Sequence, residues 1–157
     1  MDNHFKNLLS TLTTLLKNID DEFSPSISKQ EGSIENYIER IRTNGSVLYS
    51  YKNDELRGII IYFKNSDAID VNLLWIRPDN RNTSTLYSMI RDAVSFEDDY
   101  NNMIRVRTSD KNHKAIRVIE KLGFSLVDRI PEDKLSGCTT LLYESKYALI
   151  RKYFKIN

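Results

Sequence analysis

One cysteine, five glycines and three prolines among 157 residues deny this chain several common ways of bracing a fold or building a site. Cys138 has no second cysteine for an internal disulfide, and no second Cys or His-rich spacing makes a metal site with it. It sits in Gly-Cys-Thr-Thr-Leu-Leu, which reads as a strand start, so we expect a small buried packing residue and not a nucleophile. Basic and acidic residues nearly cancel, at 23 and 22, and the net charge of +1 gives no reason to expect a nucleic-acid or membrane partner. No apolar run is long enough to span a bilayer, and residues 1–20 carry polar groups throughout instead of a basic start and an apolar core. A cytoplasmic setting is therefore the expectation. What is left, 40% hydrophobic and 29% charged residues, fits a single domain over residues 1–157.

Periodicity supplies the elements. Phe5, Leu8, Leu9, Leu12, Leu15, Leu16 and Ile19 form one helical stripe, so residues 2–18 read as a first helix. Asp20 to Gly32, with acidic residues, Pro25 and three serines, reads as a connection. Ile34, Tyr37, Ile38 and Ile41 give a second helix behind Ser33 as its cap, ended by Asn44-Gly45. Ser46–Tyr51 and Leu56–Phe63 read as a β-hairpin, and Ile69–Arg77 as a third strand. Leu86, Met89, Ile90 and Ala93 mark a helix over 82–95. A polar link from Glu97 to Asn102 leads to a strand over Ile104–Thr108, then to a helix from Asn112. Phe124–Arg129 and Thr139–Glu144 read as closing strands around a polar loop, Pro131–Ser136.

The helix from Asn112 to Phe124, Asn-His-Lys-Ala-Ile-Arg-Val-Ile-Glu-Lys-Leu-Gly-Phe, carries the most information. Asn112 is a good N-cap, Ala115, Val118, Ile119 and Leu122 line one face, and Gly123 suits the left-handed residue that ends a helix. The stretch resembles the second signature motif of the GNAT acetyltransferase superfamily, and the element order resembles that fold over roughly residues 5–144, with no evident strand ahead of Phe5. The resemblance implies an α/β fold of the α+β type. Its central sheet would be mixed and mostly antiparallel, with about six strands flanked by helices and Ser145–Asn157 as an extension. It also implies acetyl-CoA as acyl donor, with Asn112 beside the pantetheine arm.

In that family the third strand ends in a Val-x-Pro-x-x-Arg phrase and an Arg-Gly-x-Gly-x-Gly/Ala turn whose backbone N–H groups hold the CoA pyrophosphate. Here Leu74-Trp75-Ile76-Arg77-Pro78-Asp79-Asn80-Arg81 resembles the phrase, but the turn reads Arg81-Asn82-Thr83-Ser84-Thr85-Leu86 without one glycine. A helix start offers N–H groups and a positive dipole end to an anion, whereas glycine adds close approach and unusual φ. Asn82 tolerates left-handed geometry, and the hydroxyls of Ser84 and Thr85 could reach phosphate oxygens. Leu86 either crowds the pyrophosphate or turns inward with the 86, 89, 90, 93 face. The resemblance assigns cofactor contacts to Trp75, Ile76, Arg77, Arg81, Asn82, Thr83, Ser84, Thr85, Leu86, Asn112 and Lys114; Lys111 and Arg117 could add charge.

Acetyl transfer to an amine needs a neutral nucleophile, a polarised thioester carbonyl and a protonation route for the thiolate. The resemblance puts the carbonyl against a backbone N–H near Ile76. Many family members carry a tyrosine acid four residues before the Gly-Phe pair, where this chain has Ile119. Its absence could cost on the order of 10²–10⁴ in rate, although a thiolate of pKa roughly 8.5 leaves unaided. Asp70, Asn72 and Tyr62 are the catalytic candidates if they face the acceptor cleft. His4 and His113 read as surface histidines, and no metal is implied.

Phe23-Ser-Pro-Ser-Ile-Ser28 resembles a loop bordering the acceptor site in some GNAT proteins of surface-sugar pathways, which suggests a small-molecule amine such as an amino sugar. The basic and aromatic stretch Tyr147–Ile156 is expected to pack on the sheet or to form a subunit contact, as in a homodimer. The competing reading, given the missing glycines and tyrosine, is a catalytically inactive GNAT-like domain that binds a partner.

Overall fold

The computed structural model describes residues 3–23, 25–97, 102–133 and 137–156, without the side chains of residues 3–7, 83, 132 and 133. Six strands form one sheet in the order β1-β2-β3-β4-β6-β5, made of β1 (Gly45–Lys52), β2 (Glu55–Lys64), β3 (Ala68–Ile76), β4 (Met103–Ser109), β5 (Ser125–Asp133) and β6 (Cys138–Lys146). All neighbours are antiparallel except β3 and β4, so the sheet is mixed and mostly antiparallel as expected. The helices are α1 (Asn3–Ile19), α2 (Ile27–Glu31), α3 (Ile34–Asn44), α4 (Thr83–Phe96), α5 (His113–Lys121) and α6 (Tyr147–Tyr153).

Two apolar layers cover the sheet. On one face Leu12, Leu16 and Ile19 of α1, Ile27 of α2, and Ile34, Tyr37 and Ile41 of α3 pack on Ile59, Ile61, Phe63, Leu73 and Trp75. On the other, Met89 and Val94 of α4, Val118 and Ile119 of α5, and Tyr147 and Ile150 of α6 pack on Ile60, Tyr62, Ile69, Ile104, Leu141 and Tyr143. Successive strand residues point to opposite faces, so β2 is buried on both sides and reads as an unbroken apolar run. Each fully buried aliphatic side chain of this kind contributes about 1.5–3 kcal/mol.

Caps fix the helix starts as the sequence suggested. Ser33 Oγ accepts from Asn36 N at 3.0 Å and Asn112 Oδ1 from Ala115 N at 3.3 Å. Gly123 leaves α5 at φ +95°, the left-handed geometry expected of it.

Four sequence expectations need correction. The connection from Asp20 to Gly32 contains a 3-10 turn over Asp20–Glu22 and the helix α2, a mostly polar segment that Ser26 caps and the buried side chain of Ile27 anchors. Strand β5 runs on to Asp133, through much of the expected polar loop, by means of a register shift between Ile130 and Asp133. Residues 134–136 of that loop, and 98–101 of the link before β4, lie outside the described residues. Residues 145–156 are less of an extension than expected: Ser145 and Lys146 complete β6, and the wholly buried Tyr147 and Ile150 pack α6 on the sheet, as expected of that stretch, while Leu149 and Tyr153 stay exposed. Cys138 does begin β6 but is half-buried.

Candidate active site

Strands β3 and β4 pair only from Ala68↔Met103 to Val71↔Val106, and then part. The cause is local. Tyr62 pairs with Val71 but Ile61 with Leu73, so Asn72 is an extra residue, a bulge that bends the strand. Past it, β3 pairs with β2 alone while Arg107, Thr108 and Ser109 pair with β6. The β4-facing edge of residues 73–76 is thereby opened to a ligand. Both α4 and α5 start at this end of the sheet, because each follows one of the two parting strands.

A tight turn joins β3 to α4. Pro78–Asn80 form a 3-10 turn, with Asn80 N donating to Arg77 O at 2.8 Å and Asn82 N to Asn80 O at 2.9 Å. Arg81 reaches back, its Nε donating to Ile76 O at 2.7 Å and its Nη2 to Glu22 Oε1. The second oxygen of Glu22 accepts from Trp75 Nε1 at 3.2 Å. Glu22 is held there by its neighbour Asp20, which accepts from Ser28 N at 2.8 Å and Ser28 Oγ at 2.5 Å and so folds the α1–α2 connection over the end of β3.

The sequence matches no protein-family model and no curated protein. Solved structures match it over most of its length. An aminoglycoside 6'-acetyltransferase type Ii aligns with a TM-score of 0.69 at 17% identity, over 94% of each chain. A mutant form of the spermidine/spermine N-acetyltransferase SpeG from Vibrio cholerae gives 0.66 at 15% identity, over 91% of this chain and 93% of that one. A GNAT family acetyltransferase from Elizabethkingia anophelis with acetyl-CoA bound gives 0.59 at 13%, over 71% and 82%. The fold is that of the GNAT acetyltransferases.

On this GNAT fold the expected cofactor residues divide. Asn82 is extended at φ −141° and serves as the N-cap of α4, its Oδ1 accepting from Thr85 N at 2.8 Å, so it supplies no left-handed residue. Thr85 N–H is taken by that cap and Leu86 N–H donates to Asn82 O at 3.2 Å. The N–H groups of Thr83 and Ser84, which have no intrahelical acceptor at a helix start, remain for an anion. Ser84 is exposed whereas Thr85 is 7% exposed, so the Thr85 hydroxyl faces the protein and not a phosphate. The Thr83 side chain lies outside the described residues. Leu86 packs on the core, which settles its two alternatives: it turns inward.

Elsewhere the assignment is weaker. Trp75 points its side chain to the α1–α3 face, so only its backbone borders the opening, and Ile76 is buried on the other face. Arg77 is engaged by Asp79 at 2.6 Å and Glu55 at 3.1 Å. Asn112 caps α5 with Lys111, Lys114 and Arg117 exposed around it. Ile119, where many GNAT proteins have a tyrosine, is a packed core residue.

The catalytic candidates separate by face. Asp70 is opposite Phe63 and therefore lies on the α1–α3 face; it is half-buried, and its Oδ2 accepts from Asn65 Nδ2 at 3.2 Å. Asn72 is exposed on the bulge, and its Oδ1 accepts from Tyr37 Oη at 2.5 Å. Burial pushes the Tyr37 hydroxyl far above the usual tyrosine range, so it stays a donor. With Oδ1 committed, Asn72 offers amide N–H groups and is no base. Tyr62 is a correction: it is 2% exposed on the α4–α6 face, and its hydroxyl donates to Glu97 Oε1 at 2.8 Å, beyond the far end of α4. That helix has 14 residues, so the turn is about 20 Å away along it.

Sequence reading missed Glu22 and Tyr37. The acidic run Asp20-Asp21-Glu22 before the Phe-Ser-Pro loop was the only signal for the first, and Tyr37 was read as one more apolar position of α3. Among the described residues no group of three or more His, Cys, Asp and Glu side chains is placed to share a metal ion, and no helix is long and apolar enough to cross a membrane.

Proposed function

We propose that this protein is an acetyl-CoA-dependent N-acetyltransferase acting on the amine of a small molecule. The observation that carries the reading is the parting of β3 from β4 at Asn72, with Arg81 and the start of α4 at the mouth of the opening. The exposed strand edge suits the amides of pantetheine, which can pair as an added strand. Arg81 and the N–H groups of Thr83 and Ser84 suit a pyrophosphate, and the inward turn of Leu86 leaves that site without its bulk.

Acetyl-CoA supplies the activated acyl group, and the chain supplies binding, orientation and a proton acceptor. A β3 backbone N–H near Ile76 polarises the thioester carbonyl. Asn72 orients the acceptor through its amide N–H groups, and Asp70, on the same face but roughly 20 Å along β3 from Ile76, reaches the amine proton only through a chain of waters and not directly. With Ile119 packed in the core at the tyrosine position, that position would supply no side-chain acid to a departing thiolate. An amino sugar is one acceptor in this class. A cytoplasmic setting and a homodimer belong to the same proposal.

The second reading, a GNAT-like domain without catalysis, draws on the occupied N–H groups of Asn82, Thr85 and Leu86. Thermal unfolding with acetyl-CoA tests both. Ligand at about 100 times its Kd adds roughly 2.7 kcal/mol, about 5–10 °C for a domain of this size. Arg81→Ala is expected to weaken binding about tenfold or more by removing a charged donor. No shift at millimolar acetyl-CoA rejects the transferase reading, and a shift without acetylation of any amine in a panel selects the binding domain.

A further inference from the structure

Helices α1 to α3 cover only part of their side of the sheet. Among the described residues their apolar layer takes strand residues from β1, β2 and β3, and none from β4, β5 or β6. By strand alternation and register, the uncovered part of that face carries Arg105 and Arg107 of β4, Leu142 and Glu144 of β6 and Asp128 of β5. Most of the charge there is spent locally. Arg105 Nε donates to Glu144 Oε1 at 2.5 Å, and Asp70, opposite Arg105 on β3, accepts from Asn65 Nδ2 at 3.2 Å. Arg107 differs: it is exposed, and its guanidinium has no hydrogen-bond or ion-pair partner among the described residues. Asp128 lies beyond Leu142, two strands and roughly 10 Å from Arg107.

Arg107 also stands where the opening begins. Val71↔Val106 is the last pair between β3 and β4, so Asn72 and Arg107 are the first residues past it on their strands. Their side chains share a face, since Asn72 meets Tyr37 of α3 and Arg107 follows Arg105 by two positions. Tyr37 occupies Asn72 Oδ1 and leaves the amide N–H groups as donors. The opening therefore starts with two donor groups side by side, one of them charged, and the nearest acids are already engaged. An oxyanion can accept from both, whereas a second ammonium is repelled. We propose that Arg107 is a specificity-determining residue which, with the Asn72 amide, binds an anionic oxygen group carried by the acceptor, so that the acceptor is an amine that also bears a carboxylate or a phosphate. This rests on the acetyl-CoA reading.

The test is a matched set of amines titrated by calorimetry into wild type and Arg107→Gln, each saturated with CoA, which cannot acetylate. For four- and six-carbon chains the set holds the ω-aminoalkanoate, the ω-aminoalkylphosphonate, the alkylamine and the diamine. In wild type the two acid-bearing amines are expected to bind about tenfold or more tightly than the alkylamine and diamine of equal length. The better of the two identifies the anion. In Arg107→Gln that preference disappears while CoA affinity stays as in wild type, and Arg107→Lys restores part of it. Equal binding of acids and alkylamines, preference for the diamine, no binding of any acid-bearing amine, or an unaltered preference in Arg107→Gln overturns the proposal; with CoA bound, each leaves the acetyl-CoA reading standing. Absence of CoA binding at millimolar concentration overturns both. If the variants fail to fold, the wild-type comparison still decides.

Discussion

Glu97 shows how partners can outweigh burial at a single residue. Burial alone would raise its pKa, but Lys64 Nζ at 2.9 Å and the Tyr62 hydroxyl at 2.8 Å both donate to it, and the carboxyl is held below the usual glutamate value. Its own burial, and then the same contact, push Tyr62 upward, so the tyrosine stays a neutral donor. A depressed folded-state pKa gives stability that is present above the unfolded value, about 4.3, and lost as pH falls through the lower folded value. Glu97→Gln is therefore expected to flatten the loss of stability between about pH 5 and pH 3, read from urea unfolding at each pH. Residue type makes Tyr62 a catalytic candidate; its alternation along β2 gives the period but not which helix layer it meets.

Elements carry the opening, and a glycine fits them together. A Cβ on Gly58 in β2 would come within 2.6 Å of the Trp75 carbonyl oxygen and 2.8 Å of Met89 Sδ, which leaves no space between β2, the end of β3 and α4. Gly58→Ala must shift backbone, so a loss of about 1–3 kcal/mol is expected in urea unfolding. Acetyl-CoA affinity should fall with it, since the displaced pieces are those that bound the cofactor mouth. Element identity was legible in advance, from the stripe of α1, the Ser33 and Asn112 caps and the Gly123 stop. The bulge at Asn72 was not, because an extra strand residue appears only when a partner strand fixes the register.

At the scale of the whole molecule, the last helix is part of the core and no appendage. Ile150 is 0% exposed, and Tyr147 Oη and Arg151 Nη1 both donate to Val94 O, at 2.7 and 3.0 Å. Ile150→Ala is expected to cost about 2–5 kcal/mol, a large share of the 5–15 kcal/mol that usually holds a domain together, measured by chemical denaturation. The sequence by itself determined α1, α3, α4, α5 and the six described strands, their order, and the resemblance at Asn112–Phe124, but neither α2 nor α6. These follow from apolar periodicity, caps and turn residues, which act within a few positions of one another. Tertiary structure alone decided that β3 leaves β4 at Asn72, that Leu86 turns inward and Tyr62 away from the opening, and that Arg81 meets Glu22. Those outcomes depend on strand register, layer assignment and a contact between residues 59 positions apart, none of which a local pattern encodes.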